Sequence, residues 1–125
     1  MIVGTGIDIV TTARFRDVLE RQRERFIQRV FTATEQEYCR AHRNPATHYA
    51  ARFAAKEAFL KALGTGWAGG IRWLDIEVLR EPGAAPSIRL HAIAAQVAAE
   101  KLVRSVHVSL SHSDEAAVAT VILES

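Results

Sequence analysis

Two acids and three cations stand among residues that would otherwise build a core. Asp8 interrupts the β-branched run Gly6-Ile7-Asp8-Ile9-Val10. A carboxylate there is costly unless it is paired, hydrogen-bonded, bound to a metal, or placed at the strand end to cap a following helix. The second acid, Glu57, lies in Arg52-Phe53-Ala54-Ala55-Lys56-Glu57-Ala58-Phe59-Leu60-Lys61-Ala62-Leu63, which runs into Gly64-Thr65-Gly66. On a helix, Glu57 and Lys61 share a face because they are four residues apart, and Arg52 and Lys56 form a second such pair. Taken alone, Glu57 and Lys61 would make an exposed ion pair worth roughly a few tenths of a kcal/mol. Their surroundings point further. Alanines let a ligand approach the helix, and backbone N–H groups in a glycine-rich loop can cradle phosphate oxygens.

A third segment, Val108-Ser109-Leu110-Ser111-His112-Ser113, ends a strand on a serine and a histidine. Adjacent strand residues point to opposite faces, which argues against a hydrolytic nucleophile and base and favours phosphate contact by Ser111 or His112. His42, His48, His91 and His107 have no metal-ligand spacing and read as surface or second-layer residues. Cys39 has no partner cysteine and reads as packing. Trp67 and Trp73 read as core or subunit-contact area.

Charge adds a partner surface. The 125 residues carry a net +2, yet residues 14–29 alone hold six arginines against three acids. That local excess suggests one acidic partner rather than general affinity for nucleic acid. If the helix is continuous, Arg14, Arg21 and Arg25 lie within ~40° of one another at 3.6 residues per turn. The single cysteine rules out an intrachain disulfide and suggests a reducing compartment. The N-terminus reads as a strand rather than a signal peptide, and no apolar run approaches the ~18–20 residues of a bilayer span. A cytoplasmic location and no membrane contact are the expectation.

These residues need elements to position them. Residues 2–10 read as a strand. Residues 11–30 read as a helix with Phe15, Val18 and Leu19 on one face, continued after a break by Phe26, Ile27 and Val30. Thr32-Ala33-Thr34-Glu35 has capping-box spacing and opens a short helix to about residue 43. Asn44-Pro45 stops it and prepares a long helix over 46–63, closed by Gly64. Residues 71–80 alternate as a strand with Leu74, Ile76 and Val78 on one side, and 87–91 pair back across a Pro-Gly turn. Residues 92–103 read as a helix carrying Ile93, Val97 and Leu102 inward, followed by strands at 106–111 and 116–123. The expected architecture is α+β, one domain over 1–125, with a mostly antiparallel sheet packed against one long helix.

The opening, central and late segments together resemble the bacterial holo-acyl-carrier-protein synthases, a family of phosphopantetheinyl transferases. The central segment is specific; the other two are weak alone but fall in the family's order. The resemblance implies transfer of 4′-phosphopantetheine from coenzyme A to a serine of an apo acyl carrier protein, in support of fatty acid biosynthesis. It implies Asp8 and Glu57 as Mg²⁺ ligands, and Lys61 beside the pyrophosphate, stabilising the departing 3′,5′-ADP. Arg52, Gly64, Ser111 and His112 match positions lining the nucleotide and its phosphates. The serine proton would pass to Glu57 or to a water on the metal. Arg14, Arg21 and Arg25 would receive the acidic carrier, and the family's trimers imply a homotrimer with active sites between subunits. Two rivals differ in class. A metal-dependent nuclease could use Asp8, Glu57 and Lys61 but usually sets acid and lysine close together on a strand. A basic binding module would use the arginines and leave Asp8, Glu57 and the glycine loop without purpose.

Overall fold

A helix built largely of alanine forms the centre of the molecule, because only small side chains let other elements approach it from several sides. The computed structural model describes residues 1–125. Strand β1 (Ile2–Thr11) leads into helices α1 (Thr12–Val30), α2 (Ala33–Arg40) and the central α3 (Pro45–Leu63). A hairpin of β2 (Ile76–Leu79) and β3 (Ser87–Leu90) follows, then α4 (Ala92–Glu100), β4 (Ser105–His112) and β5 (Ala116–Glu124). Helix α3 starts with a proline in its first turn and ends at Gly64, whose φ of 81° is left-handed and whose N–H donates to the carbonyl of Leu60.

The larger sheet is antiparallel in the order β1-β5-β4, and α3 lies across one face. Ala117, Ala119, Val121 and Leu123 of β5 are buried against the helix. Strand β1 comes closer still. A Cβ at Gly4 would strike the carbonyl oxygen of Ala62, and one at Gly6 would strike that of Ala58. The two glycines therefore let the strand rest on the helix backbone. Alternation then places Asp8, two residues on, over the same helix, while Ile7 and Ile9 face outward.

Thr32 and Glu35 form the expected capping box, and Glu35 does more than cap. Its carboxylate, wholly buried, accepts from Thr32 N at 2.8 Å, Val78 N at 2.9 Å and Lys56 Nζ at 2.8 Å. Lys56 also donates to the carbonyls of Val30 at 2.6 Å and Trp73 at 3.1 Å. Burial pulls the lysine's proton affinity down, and the Glu35 carboxylate opposes that shift. One ion pair thus ties α2, α3 and β2 to the end of α1.

Three expectations change. The strand expected over 71–80 is only Ile76–Leu79, because Trp73–Asp75 forms a 3₁₀ turn in which the Asp75 carboxylate accepts from Arg72 N at 3.2 Å. The last helix ends at Glu100 and buries Ala94 and Ala98; Leu102 is 72% exposed at a φ of 64°. Helix α1 has the break expected before Phe26, and the arginine stripe, which needed a continuous helix, is what changes. Arg23 has φ 47° and ψ −130°, and Phe15 and Phe26 meet edge to face at 5.7 Å. An unbroken helix would hold residues eleven apart ~16 Å apart along its axis, so the chain turns back at Arg23. Arg14 and Arg21 precede that break and Arg25 follows it, which removes the geometric basis for a single three-arginine stripe.

Candidate active site

The close crossing of β1 over α3 assembles Asp8, Glu57 and Lys61. Lys61 Nζ donates to Asp8 Oδ1 at 3.0 Å and to the carbonyl of Ile7 at 2.9 Å. The lysine's partner is therefore Asp8 on the strand, not Glu57 one helical turn away. Glu57 makes no ion pair, and burial first, then the negative charge of Asp8, raises its proton affinity; Lys61 opposes both. The lysine side chain is 54% exposed and that of Asp8 18%, so the pair stands at an open rim.

Glu57 borders two clefts. One, of about 530 Å³, runs from Asp8 and Phe53 to Arg14, Phe15 and Val18 of α1. The other, of about 320 Å³, runs past Lys61 to Gly64, Gly66 and Trp67 at the end of α3. Two ligands entering from different sides would meet at the acid. Asp8 and Glu57 are close enough for one to raise the other's proton affinity. With two carboxylates, a hard divalent cation can complete its shell from substrate oxygens and water, and the donor set fits Mg²⁺.

The other expected site residues lie elsewhere in the chain. Arg52 and Lys61 are nine residues apart, hence on opposite sides of α3 and ~13.5 Å apart along it. Arg52 is buried with its guanidinium carbon 3.9 Å from the centre of the Tyr38 ring. His112 lies near the same end, its ring 5.5 Å from that of His48. Ser111 is exposed on the opposite sheet face from Asp8, as alternation requires. Arg14, Arg21 and Arg25 are all exposed. Lys56 faces the core rather than any ligand.

Two groups escaped the sequence reading. Glu35 was visible only as a capping residue. His42 and His48, read as surface or second-layer residues, stack at 3.9 Å beside Tyr38. The available signal was His48 standing four residues before Arg52, which puts both on one helix face.

The chain as a whole is similar to known proteins. The chain matches the 4′-phosphopantetheinyl transferase superfamily over residues 4–121. It is 50% identical over 124 residues to a holo-[acyl-carrier-protein] synthase of Koribacter versatilis, covering 99% of each chain. Its fold is similar to that of the Neisseria meningitidis holo-[acyl-carrier-protein] synthase, with a TM-score of 0.92, 30% identity and full coverage of both chains. It is also similar to the Bacillus anthracis enzyme in complex with CoA (3′,5′-ADP), with a TM-score of 0.82, 37% identity and coverage of 100% and 98%. On its matched length, its sequence identity and its fold, the chain belongs to the holo-[acyl-carrier-protein] synthases of the 4′-phosphopantetheinyl transferase superfamily.

Proposed function

We propose that the chain transfers 4′-phosphopantetheine from coenzyme A to a serine of an acidic carrier protein at Asp8, Glu57 and Lys61, with Mg²⁺ held by Asp8 and Glu57. The meeting of two clefts at Glu57 carries this reading, because a two-substrate transfer needs both reactants at one point. The carrier serine enters from the α1 side, past Arg14, and the pyrophosphate lies towards Gly64. The serine oxygen attacks the phosphorus that bears pantetheine, the pyrophosphate bridge breaks, and 3′,5′-ADP departs with the electron pair. Lys61, anchored by Asp8, places its ammonium beside the leaving oxygen and stabilises charge that grows in the transition state. The serine proton passes to Glu57 or to water. When bound, Mg²⁺ supplies Lewis-acid polarisation of the phosphate oxygens.

A homotrimer with shared sites follows from the same reading. Ile7, Ile9 and Ile122 leave the outer face of the larger sheet apolar and exposed, and a second copy of the chain is the occupant that suits it. Such packing would let Arg52, Ser111 and His112 of one copy complete the nucleotide site around Asp8 and Glu57 of the next. The reading further carries a cytoplasmic role in fatty acid biosynthesis, consistent with one buried free cysteine; no helix is long and apolar enough to cross a membrane.

The test is incubation with coenzyme A, Mg²⁺ and an apo carrier protein. The carrier should gain the mass of one phosphopantetheine group, and a chain that leaves its mass unchanged is not acting as this transferase. Mixing Asp8→Ala with Arg52→Ala subunits should restore part of the activity each lacks, whereas sites confined to one subunit would leave the mixture inactive. Reversal of Arg14 and Arg21 to Glu should raise the KM for the carrier several-fold and flatten its salt dependence. The KM for coenzyme A should hardly change, since exposed charges act over a Debye length of ~8–10 Å.

A further inference from the structure

The loop after α3 borders the candidate site yet has little of its own to hold it in place. Four of the seven residues in Gly64-Thr65-Gly66-Trp67-Ala68-Gly69-Gly70 are glycine, and all four have left-handed φ values between 58° and 87°. A Cβ at Gly64, Gly66 or Gly69 would meet nothing within 4 Å, so these glycines serve the backbone path and add no packing. The N–H groups of Thr65, Gly66 and Trp67 form no hydrogen bond with the backbone. They are free donors beside the Lys61 cleft, which Gly64, Gly66 and Trp67 line. Glycine loses more conformational freedom on ordering than any other residue, so a loop of this composition does not keep one shape unaided.

One side chain supplies the hold. Trp67 is half-buried, and its ring centre lies 3.9 Å from that of Trp73. Trp73 is itself well fixed. Its ring stacks on Phe53 of α3 at 4.9 Å and 22°, its carbonyl accepts from the buried Lys56 at 3.1 Å, and it begins the 3₁₀ turn that ends at Asp75. Phe53 in turn meets Phe15 and Phe26 of α1 at 5.5 and 5.9 Å. Trp67 is thus the outer member of a ladder of rings rooted in the core. The loop's other side chains are short: Ala68 is a methyl group, and the Thr65 hydroxyl donates within the loop to the carbonyl of Gly66 at 3.2 Å.

We propose that Trp67 is a positioning residue for transfer: its ring, seated on Trp73, keeps the glycine loop in one conformation, so that the loop's free N–H groups stand beside Lys61 for the pyrophosphate of coenzyme A. The proposal rests on the transferase reading above and adds to it the residue that sets the loop. Trp67 acts through the backbone and does not touch the reacting atoms. A loop ordered before the donor arrives loses less freedom on binding, and affinity rises accordingly.

Hydrogen exchange reads this latch without any reaction. In Trp67→Ala, the amides of residues 65–70 should exchange at least about tenfold faster than in the wild-type chain, with those of α3 unchanged. The same variant should bind coenzyme A roughly tenfold more weakly in titration, the loss of about one hydrogen bond to a charged group, and keep the KM for the carrier. Trp67→Phe retains a ring on Trp73 and should restore most of both properties. Trp73→Leu should loosen the loop as Trp67→Ala does, and the double variant should be no worse than either single one, because both remove the same contact. If Trp73→Leu does not fold, Trp73→Phe leaves Trp67 as the only tryptophan. Its fluorescence anisotropy should then show the ring turning with the whole molecule, and a freely rotating ring would overturn the proposal. Weaker binding with unchanged exchange would make Trp67 a ligand contact, and faster exchange with unchanged binding would leave the latch without a role in transfer; either result overturns the proposal while the transferase reading stands. If the wild-type chain does not bind coenzyme A, both fail.

Discussion

Lys56 and Lys61 sit five residues apart on the same helix, each within 3.0 Å of a carboxylate, and they do different work. Both side chains of the Lys56–Glu35 pair are wholly buried, and four backbone groups besides the ion pair satisfy them. The Lys61–Asp8 pair is open to solvent and has an unpaired acid, Glu57, beside it. The difference lies in what remains unsatisfied. A closed network in a low-dielectric core resists change because either partner alone would be a buried, uncompensated charge. An open pair can exchange its partner for a substrate phosphate, which the proposed transfer requires. Five residues rotate the side chain by ~140° around the helix, and that rotation separates a lysine locked in the core from the one proposed to act in transfer.

The largest effect is expected where the closed pair is broken. Lys56→Met leaves Glu35 buried and unpaired, which should cost ~3–5 kcal/mol in denaturant unfolding. A loss below 1 kcal/mol would show that water reaches Glu35 and that the two pairs differ less than their burial implies. At the open pair, Asp8→Ala should lower kcat by ~10²–10³, the range seen when one preorganised electrostatic group is removed, with Tm nearly unchanged. Retention of near-native turnover at low Mg²⁺ would exclude Asp8 from the metal site.

Lys61→Ala sharpens the contrast further. It should reduce kcat by about tenfold or more while weakening coenzyme A binding less, because its charge is needed most as the leaving oxygen develops. Equal losses in Kd and kcat/KM would make it a plain binding residue. The smallest effect concerns stability at Glu57. Its proton affinity is raised in the folded state, so ionisation destabilises the fold; the penalty is complete above the folded value and absent below the ordinary carboxylate range. Glu57→Gln, without metal, should therefore raise Tm at neutral pH, with the gain vanishing as pH falls into that range. A gain independent of pH would assign the effect to packing instead.

Much of the candidate site was legible one residue at a time. Asp8 drew notice as an acid in a β-branched strand, and Glu57 and Lys61 as charges among alanines beside a glycine loop. Their pairing was not legible. Spacing on the helix suggested Glu57–Lys61, but the strand supplies the partner, and that contact exists only because Gly4 and Gly6 bring β1 onto the backbone of α3. Lys56 likewise resembled its neighbours in sequence. An alanine-rich helix has no clear apolar stripe, so periodicity cannot say which of its cations faces inward.

The break in α1 shows the same limit from another side. The apolar pattern marked a break before Phe26, but Arg23 is neither glycine nor proline and does not signal a reversal; packing of Phe15 on Phe26 rewards it, and that contact joins residues eleven apart. The sequence by itself determined the order of the main elements, the ends of the central helix at Pro45 and Gly64, and the identity of the charged residues, because caps, breakers and alternation act within a few residues. The tertiary structure decided which lysine is buried, which acid each lysine meets, and that Arg52 and His112 lie away from Asp8. Those outcomes depend on the crossing of strand and helix and on desolvation by distant segments, and neither is encoded in the spacing of neighbouring residues.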